Sequence, residues 1–172
     1  MRRTRRALAQ WAAAAAALGC ALAPMGAAAQ PLEYAVKAAF LTKFAAFVSW
    51  PGGAAPPVRI CVVGDDPFGT ALEAAAGGAA VVRRMTVADR GAGCHVLYAA
   101  GSSRQSVAQT LAAVRGAPVL TVTDAARGPA RGVIHFVVFQ DRVRFHIDAG
   151  QAAQGGLTIS SKLLALGLSV KR

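Results

Sequence analysis

Acidic residues are scarce. The 172-residue chain has 8 Asp+Glu against 19 Lys+Arg, a formal net charge of +11. Few carboxylates leave few partners for acid–base catalysis, and no obvious carboxylate dyad stands on one element. Aromatic residues make up only 6%, and none sits in the stacking motif of an RNA-binding sheet. Beyond the first few residues the basic side chains come singly, except for Arg83-Arg84 and Lys171-Arg172. Nucleic acid is therefore not an expected partner, and the charge reads as a solvated cationic surface. The Gly-x-Ser-x-Gly elbow and the His-Glu-x-x-His helix are both absent. Gly64-Asp65-Asp66-Pro67-Phe68-Gly69 follows an expected strand but lacks the Gly-Lys-Ser/Thr ending of a phosphate loop. Its two carboxylates would repel phosphate. Ser102 and Ser103 follow a strand as well, yet a serine nucleophile needs a base and an oxyanion hole that no motif supplies.

The chain does hold a large apolar fraction, 55% hydrophobic with 16% charged, which excludes disorder. Its length suits one domain with a sizeable core. Arg2, Arg3, Arg5 and Arg6 precede an apolar run, and Ala27-Ala28-Ala29 offers small residues for a cut before Gln30. That order predicts a secretory signal peptide over 1–29, with a periplasmic mature domain over 30–172. The run is short for a spanning helix, which needs about 20 apolar residues. The mature part keeps 15 basic and 8 acidic residues and two cysteines, Cys61 and Cys94.

Apolar periodicity predicts a helix over 32–50, stopped before Pro51. Val36, Phe40, Leu41, Phe44, Phe47 and Val48 cover one face. The opposite face is small: Ala35, Ala38, Thr42, Ala45 and Ser49. A solvent-facing stripe would carry charge, so the helix is expected to be covered on both sides. Small side chains lose little entropy on association, which makes this face a candidate homodimer or partner surface. The alternative is packing on the chain's own sheet or last helix.

Strands are then expected over 58–64, 80–87, 94–100 and 119–123, with helices over 67–76 and 104–114 between them. Asp66-Pro67 reads as a cap followed by proline at the first helical position. This alternation predicts a mixed, mostly parallel α/β sheet flanked by helices. Two further strands, 132–139 and 142–148, make a C-terminal antiparallel hairpin, and helices over 149–154 and 161–168 follow. Ile134, Phe136 and Val138, with Val143, Phe145 and Ile147, are expected to face inward.

Cys61 and Cys94 fall on strands that neighbour one another in a doubly wound sheet. An even cysteine count in an exported chain favours a disulfide over a catalytic thiol, and two buried free thiols are the alternative. In the hairpin, Gln140-Asp141 as a two-residue turn places His135 opposite His146, on the outward face with Val137 and Arg144. Asp148 then lies opposite Val133. Two imidazoles so placed could share a metal ion or titrate together, but His95 has no assigned reach. A solvated pair is the plainer reading, and no metal or cofactor is expected.

Several segments occur together in one known family. They are Tyr34-Ala-Val-Lys-Ala-Ala-Phe-Leu-Thr-Lys-Phe-Ala-Ala-Phe-Val-Ser-Trp-Pro51, Ile60-Cys-Val-Val-Gly-Asp-Asp-Pro-Phe-Gly69 and Cys94-His-Val-Leu-Tyr98. Leu120-Thr-Val-Thr-Asp124, Val143-Arg-Phe-His-Ile-Asp148 and Gly156-Leu-Thr-Ile-Ser-Ser-Lys-Leu-Leu164 complete the set. In this order they resemble the YfiR family of periplasmic proteins. The resemblance implies a regulator, not an enzyme, that represses an inner-membrane diguanylate cyclase through its periplasmic sensor part. The family's half-cystine positions match Cys61 and Cys94, while the second pair of some members is missing here. Arg131-Gly132, Ser49, His146 and Asp148 also depart from the commoner residues.

The expected function is therefore to bind and tune a membrane-bound signalling partner. The competing expectation is a solute-binding module using the crevice at the strand ends, near Asp65, Phe68, Ser102 and Asp124. An enzyme using those same polar groups is a third.

Overall fold

The first helix sets the plan of the molecule. In the computed structural model, which describes residues 29–53, 56–90 and 92–172, α1 spans Ala29–Phe44 and lies over a seven-stranded sheet. The expected leader, 1–29, falls outside these residues but for Ala29. A 3-10 turn (Ala45–Phe47) and a two-residue strand, β1 (Val48–Ser49), replace the predicted last turns of the helix.

The remaining elements are β2 (Val58–Gly64), α2 (Ala71–Ala76), β3 (Ala80–Met85), β4 (Val96–Gly101), α3 (Val107–Ala113) and β5 (Leu120–Asp124). Then come β6 (Ile134–Phe139), β7 (Arg142–Asp148), α4 (Ala149–Gln154), β8 (Thr158–Ile159), α5 (Ser161–Leu166) and β9 (Ser169–Lys171). The large sheet runs β3-β2-β4-β5-β6-β7-β9. Its pairings are parallel except for the β6–β7 hairpin. A separate antiparallel pair, β1–β8, ties Val48 to Ile159.

Strands β2 and β4 are buried on both faces, which explains their continuous apolar runs. Successive side chains alternate between two cores. Ile60, Val62, Val96, Tyr98, Leu120, Val122, Ile134 and Phe136 pack with Ala38, Leu41 and Phe44 of α1, Leu72 of α2 and Leu163 of α5. Cys61, Val63, Leu97 and Ala99 pack on the other side with Val107 and Val114 beside α3. Phe40 and Phe44 meet Phe136 and Phe145 at ring-centroid distances of 5.2–6.2 Å, an arrangement that fixes α1 across the hairpin's base.

The buried face of α1 differs from both predicted stripes. Lys37, Ala38, Leu41 and Phe44 are its buried residues. At 100° per residue they centre about 60° from the apolar stripe and about 90° from the small one, between the two. Lys37, which belongs to neither predicted stripe, is fully buried.

Other boundaries shifted for local reasons. Asp66 does not cap α2: its Oδ1 accepts the Phe68 N–H at 2.8 Å, closing an Asx-type turn before the helix. Helix α3 starts later than expected, behind a capping box of Ser106 and Gln109. Helix α5 stops at Leu166, two residues before the expected end, because Gly167 is extended, and β9 follows where no strand was expected. Val138 is 54% exposed, not inward, because the hairpin tip projects past the core. The turn itself matches expectation, with Gln140 and Asp141 both at positive φ and Phe139 paired with Arg142.

Candidate functional site

Open α/β sheets bind ligands outside the carboxyl ends of their parallel strands. Here α1 occupies that place. The Lys37 ammonium enters the crevice and pairs with Asp124 at the end of β5 and with Glu33 one turn back on α1. Tyr98 of β4 donates its hydroxyl to the same Asp124 oxygen, Oδ2, at 3.1 Å. Asp124 Oδ1 accepts the Ala126 N–H at 3.0 Å. Both carboxylate oxygens are thus engaged within the chain. Lys37 Nζ also stands 4.6 Å from the Tyr34 ring centroid, and Phe68 meets Tyr34 and Tyr98 edge-on at 5.6 and 4.7 Å.

This is a bolt of charge under an aromatic cover. Burial, reinforced by the Asp124 charge, pushes the Tyr98 phenol far above its ordinary range, so the phenol stays a neutral donor. An ion pair excluded from water holds only while both partners remain, since removing one strands the other.

The four predicted crevice residues do not converge on an open site. Asp124 and Phe68 are buried beneath α1. Asp65 is exposed, its N–H bonded to Gly101 O at 2.9 Å. Ser102 is half-buried and accepts the N–H groups of Arg104 and Gln105, an ordinary turn. Gly64, at φ +100°, passes so close to Gly101 that a Cβ would lie 2.4 Å from its carbonyl oxygen. That close approach narrows the crevice where β2 and β4 end.

Cys61 and Cys94 form a disulfide, with Cα atoms 5.9 Å apart. It lies in the smaller core beside α3. Cys94 was expected to open β4 but precedes it, because the strand begins at Val96. The small-residue face divides: Ala38 is buried in the chain's own core and Ala45 packs against it, while Thr42 is half-buried and Ala35 and Ser49 remain exposed. In the described residues α1 is covered on one side only.

The histidine pair has the predicted register, His135 opposite His146, and the Asp148 N–H bonds to Val133 O at 2.8 Å. The pair is not simply solvated, however. His135 is 4% exposed, with Nδ1 2.8 Å from Thr123 Oγ1. Burial first, then Arg131 and His146, hold its pKa below the ordinary value. His146 Nδ1 is bonded to Ser169. His95 is separate, its Nδ1 accepting the Arg59 N–H at 2.9 Å, with burial again lowering its pKa. No cluster of three or more metal-ligating side chains occurs among the described residues.

Sequence reasoning passed over Lys37, Glu33, Tyr34 and Tyr98. The available signal was Lys37, a cation flanked by apolar residues inside the helix. It also passed over Arg84, which joins Asp66, Glu73 and the Gly69 carbonyl. Its hydrogen bond holds the Glu73 carboxyl below the usual range.

Fold and site together define an α/β protein whose strand-end crevice is closed by its own first helix. The YfiR/HmsC-like family matches residues 34–167, most of the chain, and the protein belongs to that family. No curated protein matches it. The family is one of periplasmic regulators and not of enzymes, and a disulfide accords with an oxidising compartment.

Proposed function

We propose that this protein binds the periplasmic sensor part of an inner-membrane signalling protein and restrains it. A diguanylate cyclase is the client suggested by the family resemblance. The observation that carries this reading is the buried Lys37–Asp124 pair. It fills the crevice where a solute-binding or catalytic α/β protein would take its ligand, so recognition falls to the outer surface. Exposed apolar side chains support surface association: Leu32 and Val36 on α1, Val138 and Phe139 at the hairpin tip.

A homodimer through α1 belongs to the same reading, using Ala35 and Thr42 in place of the buried Ala38. Ala35→Arg is expected to give a folded monomer by sedimentation, and an unchanged dimer would contradict that interface.

The test of function is capture from native-host membranes with tagged, oxidised mature protein, followed by mass spectrometry. A signalling receptor with a periplasmic region is expected in amounts comparable to the bait. A retained small molecule with no receptor would move the assignment to solute binding.

A further inference from the structure

The antiparallel hairpin and the final strand enclose an open cleft of about 510 Å³ that the proposed regulation does not use. It lies around β6, β7, α4 and β9. Antiparallel pairing sets His135 beside His146, and parallel pairing sets His146 beside Ser169 and Asp148 beside Lys171. Arg131, just before β6, and Arg172, just after β9, complete the basic lining. Ile147 is the one large apolar side chain there.

Cationic side chains outnumber acidic ones in this cleft. Asp148 is its lone carboxylate side chain, and both oxygens are occupied. Oδ1 accepts the Gln151 N–H at 2.7 Å, and Oδ2 lies 3.2 Å from Lys171 Nζ. Neither Arg131 nor Arg172 meets a carboxylate among the described residues. Both arginines thus line one cavity with exposed side chains and no ion-pair partner among the described residues.

His135 adds an imidazole edge. Thr123 Oγ1 accepts the Gly132 N–H at 2.9 Å and stands 2.8 Å from His135 Nδ1 and 3.4 Å from the Ile134 carbonyl. With the hydroxyl proton on Nδ1 the neutral ring carries its own proton on Nε2, and a protonated ring donates from Nε2 as well. Nε2 has no partner among the described residues, and the ring lines the cleft.

We propose that this cleft binds the phosphoryl group of a small phosphate ester or of a lipid headgroup. Two guanidinium forks suit phosphate oxygens, which they can grip in bidentate fashion, and the imidazole N–H completes a donor set around an anion. A hydrophobic solute finds little to bury against. Occupancy would tie the loop before β6 to the end of the chain, giving the regulator's surface a means to respond to periplasmic phosphate chemistry.

The test uses oxidised mature protein at 150 mM salt, where loose surface attraction is screened. Inorganic phosphate and glycerol 3-phosphate are titrated while melting and the NMR titration of His135 are followed. The groups facing His135 are Arg131, His146 and Asp124, so a bound anion should raise its midpoint. Saturable binding, a melting rise of several degrees and an upward His135 shift are expected. All should be lost in the Arg131→Ala/Arg172→Ala variant, whose substituted side chains are exposed and whose fold should persist. A parallel arm sediments the protein with phosphatidylglycerol vesicles. Binding there that needs both arginines, without a response to the soluble esters, assigns the lipid headgroup. Responses equal in wild type and variant, or absent in both arms, overturn the proposal.

Discussion

The two ends of the sheet handle polar groups in opposite ways. Where the parallel strands β2, β4 and β5 end, Lys37, Asp124 and Tyr98 are buried and satisfied by one another. Around β6, β7 and β9, Arg131, Lys171 and Arg172 with two histidines line an open cleft in which Asp148 is the one acidic side chain. The first arrangement holds α1 in place and leaves nothing for a ligand to contact. The second leaves donors unsatisfied. A doubly wound sheet usually recognises its ligand at the strand ends; here that position is filled by the chain's own buried ion pair.

The sharpest way to break the comparison is to unbolt the sealed end. Asp124→Ala leaves the fully buried Lys37 ammonium with only the half-buried Glu33. It is expected to cost about 3–5 kcal/mol in denaturant unfolding. The double variant Lys37→Met/Asp124→Leu should lose much less, because no buried charge remains. Equal losses would mean that packing, not charge pairing, holds α1.

Next comes the disulfide, which joins residues 33 apart. Reduction, or Cys61→Ser with Cys94→Ser, is expected to cost about 3–4 kcal/mol by releasing loop entropy in the unfolded chain. Melting scans with and without reductant measure it. A bond that is structural should leave partner affinity unchanged below the lowered melting temperature.

A smaller effect samples both ends. His95 and His135 have folded pKa values below the ordinary one, through burial and then Arg59 in the first case and Arg131 in the second. As pH falls through about 6.5 the unfolded chain takes up protons first. Stability is therefore fully present above that pH and declines below it, until the folded histidines also protonate. Unfolding free energy against pH should show this slope, and His95→Gln and His135→Gln should each remove part of it. The smallest effect belongs to the Arg84 cluster. Its side chain is 42% exposed, so Arg84→Ala should cost about 0–1 kcal/mol in the same assay.

Much of the fold was legible because period-2 and apolar-run signals are strong in long strands. The limits of β2 and β7, the hairpin register and the neighbouring order of β2 and β4 all followed from them. Strands β1, β8 and β9 did not, since two or three residues carry no period and their pairing is set by distant partners such as Ile159 and Ile147. The cysteine pairing was legible from that strand order, but the strand-end site was not. Asp124 was visible as a polar group at a strand end, yet nothing local announced that Lys37 on a helix 87 residues earlier would neutralise it. His135 was placed on the correct face and misjudged as solvated, because its cover comes from Thr123 and the loop before β6.

The central claim is that the molecule acts by restraining a signalling partner and not by taking a solute at its strand ends. Cellular cyclic di-GMP, measured in the native host with this chain deleted and then restored, tests it most directly. The account predicts a several-fold rise on deletion and a return on restoration. A level that does not move would contradict it.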